Sequence, residues 1–183
     1  MSEVATNWII PGLFPVGLTA VIGNDPGNGA SRAVANLMAS QVYAGNDVNL
    51  VSHWPDQQAV LKALEPLLLA EKDWSRRVHC SPLYRRSDRR LLELASKFHL
   101  SSELAIISEW RSSSFYSSRK TLERLREIAQ RTGIAIVMQS SAPFHDDERH
   151  AFDSVRILSA VLPAIRADMK ADPIRPWRFW KRK

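Results

Sequence analysis

The sequence holds a single cysteine, Cys80, in 183 residues. A lone cysteine rules out an internal disulfide and carries no metal signature. Also missing is any apolar run near the roughly 18 residues needed to cross a bilayer. The amino-terminal stretch lacks the basic region that precedes a secretory signal. These absences point to a cytoplasmic protein. Basic residues are scarce in the first 70 positions, where Arg32 and Lys62 stand against five acids. The net charge of +6 and pI near 9.8 therefore come from the rest of the chain. Such asymmetry suits a polyanionic partner, whether nucleic acid, an anionic membrane surface or an acidic protein. It equally suits a soluble protein with one cationic face. Hydrophobic residues at 45% and charged residues at 24% are those of an ordinary globular domain, and the length suffices for a core.

Short apolar runs alternate with helical periodicity. Leu18 to Ile22 reads as a strand, followed by a Gly/Asn/Pro loop and a helix over 31–44 with Val34, Leu37, Met38 and Tyr43 at helical spacing. Asp47 to Ser52 is a second strand, Pro55 to Leu69 a helix, and Arg77 to Cys80 a short strand. Ser87 to Leu100 is a helix with Ser87 or Asp88 as N-cap. Leu104 to Ile107 is a strand, and a helix from about Ser118 to Arg131 closes on Gly133. Ile134 to Met138 is apolar throughout, as in a strand covered on both faces. Asp153 to Leu162 fits a helix or a last strand. Strands alternating with helices imply right-handed crossovers, hence an α/β fold with a mostly parallel sheet between two helical layers.

The stretch "GNDPGNGAS", Gly23 to Ser31, approaches the phosphate-binding loop G-x-x-x-x-G-K-[ST]. Gly29 and Ser31 are in place, Ala30 replaces the lysine, and Asn24 replaces the first glycine. The longer segment "NWIIPGLFPVGLTAVIGNDPGNGAS" resembles the opening of RecA-like ATPases related to plasmid RepA-type hexameric helicases. Trp8, Pro11, Gly12, Pro15, Gly17, Pro26, Gly27, Gly29 and Ser31 carry the likeness. The resemblance implies a RecA-like three-layer domain over residues 1–170, with 171–183 as a separate tail.

The family's chemistry is missing position by position. Ala30 supplies no charge to the β- and γ-phosphates. "LVSHWPD" puts His53 and Trp54 where the resemblance implies a water-polarising glutamate. "LAIISEW" puts Ser108 at the magnesium-aspartate position and Glu109 one step on, where strand alternation turns a side chain to the other face. Gln139, Ser140 and Ser141 stand at the polar sensor. The expectation is a pseudo-ATPase and not an enzyme, with no cofactor; weak nucleotide binding at a vestigial loop of Gly27, Gly29 and Ser31 stays open, because backbone N–H groups at a helix start hold anions unaided.

Other features are weighed against plain readings. His145 and His150 flank acids, but no metal spacing matches, so a solvated acidic loop is expected and no metal. "EWRSSSFYSSRK" places Arg111, Phe115, Tyr116, Arg119 and Lys120 where RecA-like folds meet single strands, or forms a plain serine-rich connector. Arg76–Arg77, Arg85–Arg86 and Arg89–Arg90 make a cationic face around the third strand or solvated helix surface. The ending "DPIRPWRFWKRK" offers Trp177, Arg178, Phe179 and Trp180 as a partner-binding anchor, or packs onto its own body. Together these give a regulatory or scaffolding protein that works through a protein partner or self-association. The alternative is a single-stranded nucleic-acid-binding accessory of plasmid or phage replication or transfer. An anionic membrane ranks below both.

Overall fold

A computed structural model describes residues 8–10, 14–23, 29–69, 71, 73–83, 88–108, 119–140, 143–144 and 146–157. A two-stranded antiparallel hairpin, β1 (Trp8–Ile10) and β2 (Phe14–Pro15), precedes the main sheet. That sheet contains β3 (Gly17–Ile22), β4 (Val48–His53), β5 (Val78–Leu83), β6 (Leu104–Ile107), β7 (Ala135–Ser140) and β8 (Ser154–Ile157). Its order is β5-β4-β6-β7-β3-β8, and every neighbouring pair is parallel. The helices are α1 (Gly29–Tyr43), α2 (Trp54–Leu64), α3 (Trp74–Arg77), α4 (Asp88–Ala95), α5 (Arg119–Thr132) and α6 (Asp146–Arg149).

The order decides the layers. From β3 the chain travels to β4 and on to β5 in one direction, then from β5 through β6 and β7 to β8 in the other. Because parallel crossovers are right-handed, reversing direction sends helices to the opposite face. So α1, α2 and α3 cover one face, and α4, α5 and α6 the other. The core divides accordingly. Val21, Leu50, Ile106 and Val137 pack with α1 and α2, while Ala20, Val51, Ile107 and Met138 pack with α4 and α5. Strand alternation feeds both halves, and β7 is buried at every position. This is the α/β three-layer architecture expected from the alternation of elements, and it is consistent with the RecA-like type that the resemblance implies. It differs from the dinucleotide-binding order, in which the first two strands are neighbours; here β6 and β7 lie between β3 and β4.

Local chemistry adjusts several boundaries. The helix expected to reach Leu69 stops at Leu64 and tightens into a 3₁₀ turn over Glu65–Leu67. Pro66 has no N–H for the Lys62 carbonyl and would crowd it. The helix expected to reach Leu100 ends at Ala95, where Ser96 Oγ donates to the Glu93 carbonyl at 2.8 Å, and a 3₁₀ turn follows at Phe98–Leu100. Strand β5 continues past Cys80 through Pro82, which a sheet edge tolerates. Gly133 ends α5 with φ 74°, as expected of a residue just past a helix. The last element resolves as a strand, β8, and the residues beyond 157 lie outside those described. None of the described helices is long and apolar enough to cross a membrane.

Candidate functional site at the carboxyl edge of the sheet

In open parallel sheets the crevice for a ligand lies beyond the carboxyl ends of the strands, where connections depart in opposite directions. Here β4 leaves toward β5 and β6 leaves toward β7, so that place lies between Ser52 and Ser108. The register sets one row across the sheet on the α1 side: Ser52, Ser108, Gln139, Val21 and Arg156. Where it crosses β6 and β7 this row is polar but uncharged. Ser108 is 5% and Gln139 2% exposed.

These side chains bind one another. Ser108 Oγ donates to Gln139 Oε1 at 3.4 Å, and Gln139 Nε2 donates to the Gly23 carbonyl at 3.2 Å. The Gly23 N–H donates to the Ser140 carbonyl at 2.9 Å. Three adjacent strands are thus tied together where the chain leaves β3 for the glycine-rich loop. The Ser108 N–H donates to the Val51 carbonyl at 3.0 Å, joining β4 to the same edge. The hydroxyl and the amide are hydrogen-bonded to each other, as buried polar groups ordinarily are.

Gly29 begins α1, so the helix does start at the glycine of the loop, and Ser31 is half-buried in its first turn. Gly27 and the rest of the loop over 24–28 lie outside the described residues. His53 and Trp54 are exposed at the start of α2. His53 takes the N-cap position without a side-chain capping bond. Gln57, three residues after Trp54, escaped the sequence reading. It lies on the buried stripe of α2 with Val60 and Leu64, and its Nε2 has no hydrogen-bond partner. A glutamine in a helix ordinarily signals the solvated face, so only its i, i+3, i+7 relation to Val60 and Leu64 could have drawn attention to it.

Arg119 and Lys120 open α5 at this same edge, both exposed, and Arg119 Nε pairs with Glu123 Oε1 at 2.7 Å. Arg111, Phe115 and Tyr116 lie outside the described residues. So do Trp177, Arg178, Phe179 and Trp180, with the boundary at residue 170. The arginine doublets do not form one face. Arg76 and Arg77 sit on α3, whose Trp74 packs into the α1/α2 core, while Arg89 and Arg90 sit on α4 across the sheet. Arg85 and Arg86 lie outside the described residues. The described doublets also have local acids: Arg76 with Asp73, Arg77 with Asp47, and Arg89 and Arg90 together on Glu93. Hydrogen bonds from those two guanidinium groups hold the Glu93 carboxyl below its usual range. The acidic stretch after β7 corrects another expectation. Asp146 is exposed, but Glu148 is buried in the single turn of α6, not solvated. Among the described residues no group of three or more His, Cys, Asp or Glu could hold a metal ion.

No protein-family model matches this chain, and no curated protein matches it in sequence.

Proposed function

We propose that this chain is a RecA-like domain that does not turn over ATP and acts through protein contacts, as a regulatory or scaffolding subunit in the cytoplasm. The observation that carries the reading is Ser108. Phosphoryl transfer needs a metal ion between the phosphates and a carboxylate to hold that metal. At the carboxyl end of β6, beside β7 and one strand further from β3, the chain offers a buried hydroxyl whose partner is an amide. Ala30 removes the cation from the loop, and His53 is a poor substitute for a water-polarising carboxylate. The loop's backbone still leads into the first turn of α1, so anion binding without chemistry fits this reading. Self-association follows from the same argument. A face shaped for nucleotide and neighbour, once relieved of hydrolysis, is free to serve contact alone.

Two measurements on the purified full chain test this. Phosphate release from Mg·ATP is expected to equal that of buffer, and light scattering at micromolar concentration is expected to show a species larger than 20.7 kDa. Turnover that disappears on Gly29→Asp would overturn the non-catalytic reading. A monomer at every concentration, with single-strand DNA affinity that falls steeply with salt, would replace the scaffold with a nucleic-acid-binding accessory.

A further inference from the structure

The two edges of the six-stranded sheet are built differently. On one, β5 carries Pro82, which has no N–H to offer an incoming strand. On the other, β8 holds neither proline nor lysine and, among the described strands, has only β3 beside it. Val155 and Ile157 lie on the α5 side, in register with Ala20 and Ile22 of that half of the core. They are nevertheless 42% and 63% exposed. Ser154 and Arg156 alternate onto the α1 side. The backbone alternates as well. The Asp153 N–H points inward to the Leu18 carbonyl. Val155 and Ile157 therefore also turn their backbone groups to β3, and Ser154 and Arg156 turn theirs to the outer edge. An apolar edge without a guarding residue is a template for another strand.

A second copy of β8 fits it. A two-fold axis normal to the sheet sets the two strands antiparallel and keeps both α5 sides on one face. Residues opposite each other in such a pair share a face. With Val155 on the axis, Val155 meets its own counterpart, Ser154 meets the second copy's Arg156, and Ile157 meets its Asp153. The outward backbone groups of Ser154 and Arg156 then face one another, closing a hydrogen-bonded rung on each side of the axis. Arg156 Nε, which has no hydrogen-bond partner within one copy, comes beside the other copy's Ser154. That hydroxyl shares a proton with Thr19 Oγ1 and can still accept. The Asp153 carboxylate is turned inward, to the Leu18 N–H and Arg126. Moving the axis to Arg156 sets two guanidinium groups against each other, which repel. Moving it to Ser154 sets Val155 against Asp153 and Arg156 against Phe152, a core residue. A shift to an odd register puts the apolar side chains on the wrong face.

We propose that two copies of this chain pair through β8, antiparallel about a two-fold axis at Val155, joining their sheets into one. Every backbone pairing falls within Asp153–Ile157. The contact is short compared with a standard protein interface, so the dimer forms and dissociates with concentration. Antiparallel pairing points the two carboxyl edges, with Ser108 and Gln139, in opposite directions and leaves each open. This inference goes beyond association through the loop face and stands whether or not that face also binds a neighbour.

Engineered cysteines test it in the full chain, with Cys80→Ser removing the native thiol. On the axis the two Val155 Cα atoms lie about 4.5 Å apart, as in any non-hydrogen-bonded pair, which a disulfide spans. The two Ile157 Cα atoms are offset by roughly 13 Å along the strands, which it does not. Val155→Cys is therefore expected to oxidise to a covalent dimer, while Ile157→Cys, at the more exposed position, stays reduced. Equal oxidation of the two, or a covalent dimer from Arg156→Cys instead, overturns the register. If Val155→Cys stays reduced in a protein that still associates, another face carries the association and this inference alone falls. A monomer at every concentration removes both. Charge gives a second readout. Val155→Lys with Ile157→Lys, which sets like charges about the axis, is expected to halve the mass seen by light scattering with the circular dichroism spectrum retained. An unchanged mass means that β8 is not the contact.

Discussion

Asp153 closes directly over Gly17. A methyl group added to Gly17 would collide with Asp153 Oδ2, the oxygen that accepts the Leu18 N–H at 2.9 Å. The Asp153 N–H in turn donates to the Leu18 carbonyl at 2.8 Å, and Asp153 Oδ1 receives Arg126 Nε at 2.7 Å and Gln130 Nε2 at 3.1 Å. One aspartate thus ties the beginnings of β3 and β8 to α5. It does so because Gly17, at φ 130°, has no side chain to exclude it.

Gly17→Ala is therefore expected to destabilise the fold by about 1–3 kcal/mol, from backbone strain together with displacement of Asp153. Asp153→Ala is expected to cost a comparable amount by leaving the Leu18 N–H and Arg126 without their acceptor. The double variant should cost less than the sum, since the collision disappears with the carboxylate. Chemical denaturation of all four proteins measures this. Simple additivity would mean that the two residues do not act on each other.

Gly17 shows where the sequence stops being legible. Its place among Pro11, Gly12, Pro15 and Gly17 marks a specific opening, but the need for glycine depends on a residue 136 positions later, across a strand pair. The strands β6 and β7 were legible because burial on both faces makes β6 apolar throughout and β7 apolar from Ala135 to Met138. The brief β1–β2 hairpin was not, since three residues against two leave no periodicity to read. At the candidate site the identity of Ser108 was apparent from the sequence. Its bond to Gln139, and Gln139's reach to Gly23, depend on β6, β7 and β3 being neighbours, which strand order alone determines. The split of the arginine doublets between two faces was hidden for the same reason.

The first turns of α4 and α5 are joined by Thr121 Oγ1, which donates to Asp88 Oδ2 at 2.6 Å. The other oxygen, Oδ1, is shielded from water and has no hydrogen-bond partner. Thr121→Val keeps the shape and removes the donor, leaving Asp88 still less compensated. The expected loss is about 1–3 kcal/mol, with faster amide exchange in α4 than in β7. Unchanged stability would show that water replaces the hydroxyl without cost.

Cys80 is exposed on the β5 edge, yet the neighbouring atoms desolvate its sulfur enough to push the thiol up from the ordinary range. The thiolate is the reactive form, so alkylation of the folded protein should have its inflection at higher pH than alkylation of the unfolded chain. The linkage has a definite sign. The folded state keeps the proton longer, so stability is unaffected by this group below the unfolded pKa and declines as pH rises through the alkaline range up to the folded one. Rate profiles with and without denaturant check both. An inflection in the folded protein at or below that of the unfolded chain would contradict the burial argument.

Ser108→Asp asks directly whether the edge retains a metal site. The new carboxylate would be almost fully buried, beside an amide and a backbone carbonyl, with no basic side chain nearer in its row than Arg156 on β8. Without a cation it should destabilise the fold by about 2–4 kcal/mol at neutral pH. Burial raises its pKa in the folded state, so the penalty should shrink as pH falls and the acid becomes neutral. If the loop and β4 have lost the rest of the chemistry, Mg·ATP will neither restore the melting temperature nor elicit phosphate release. Adding Ala30→Lys should leave turnover absent, since nothing then polarises water at His53. A Ser108→Asp protein stabilised by Mg·ATP, and releasing phosphate above buffer, would mean that one substitution separates this fold from a working ATPase, and the scaffolding assignment would give way to an enzyme held inactive at a single position.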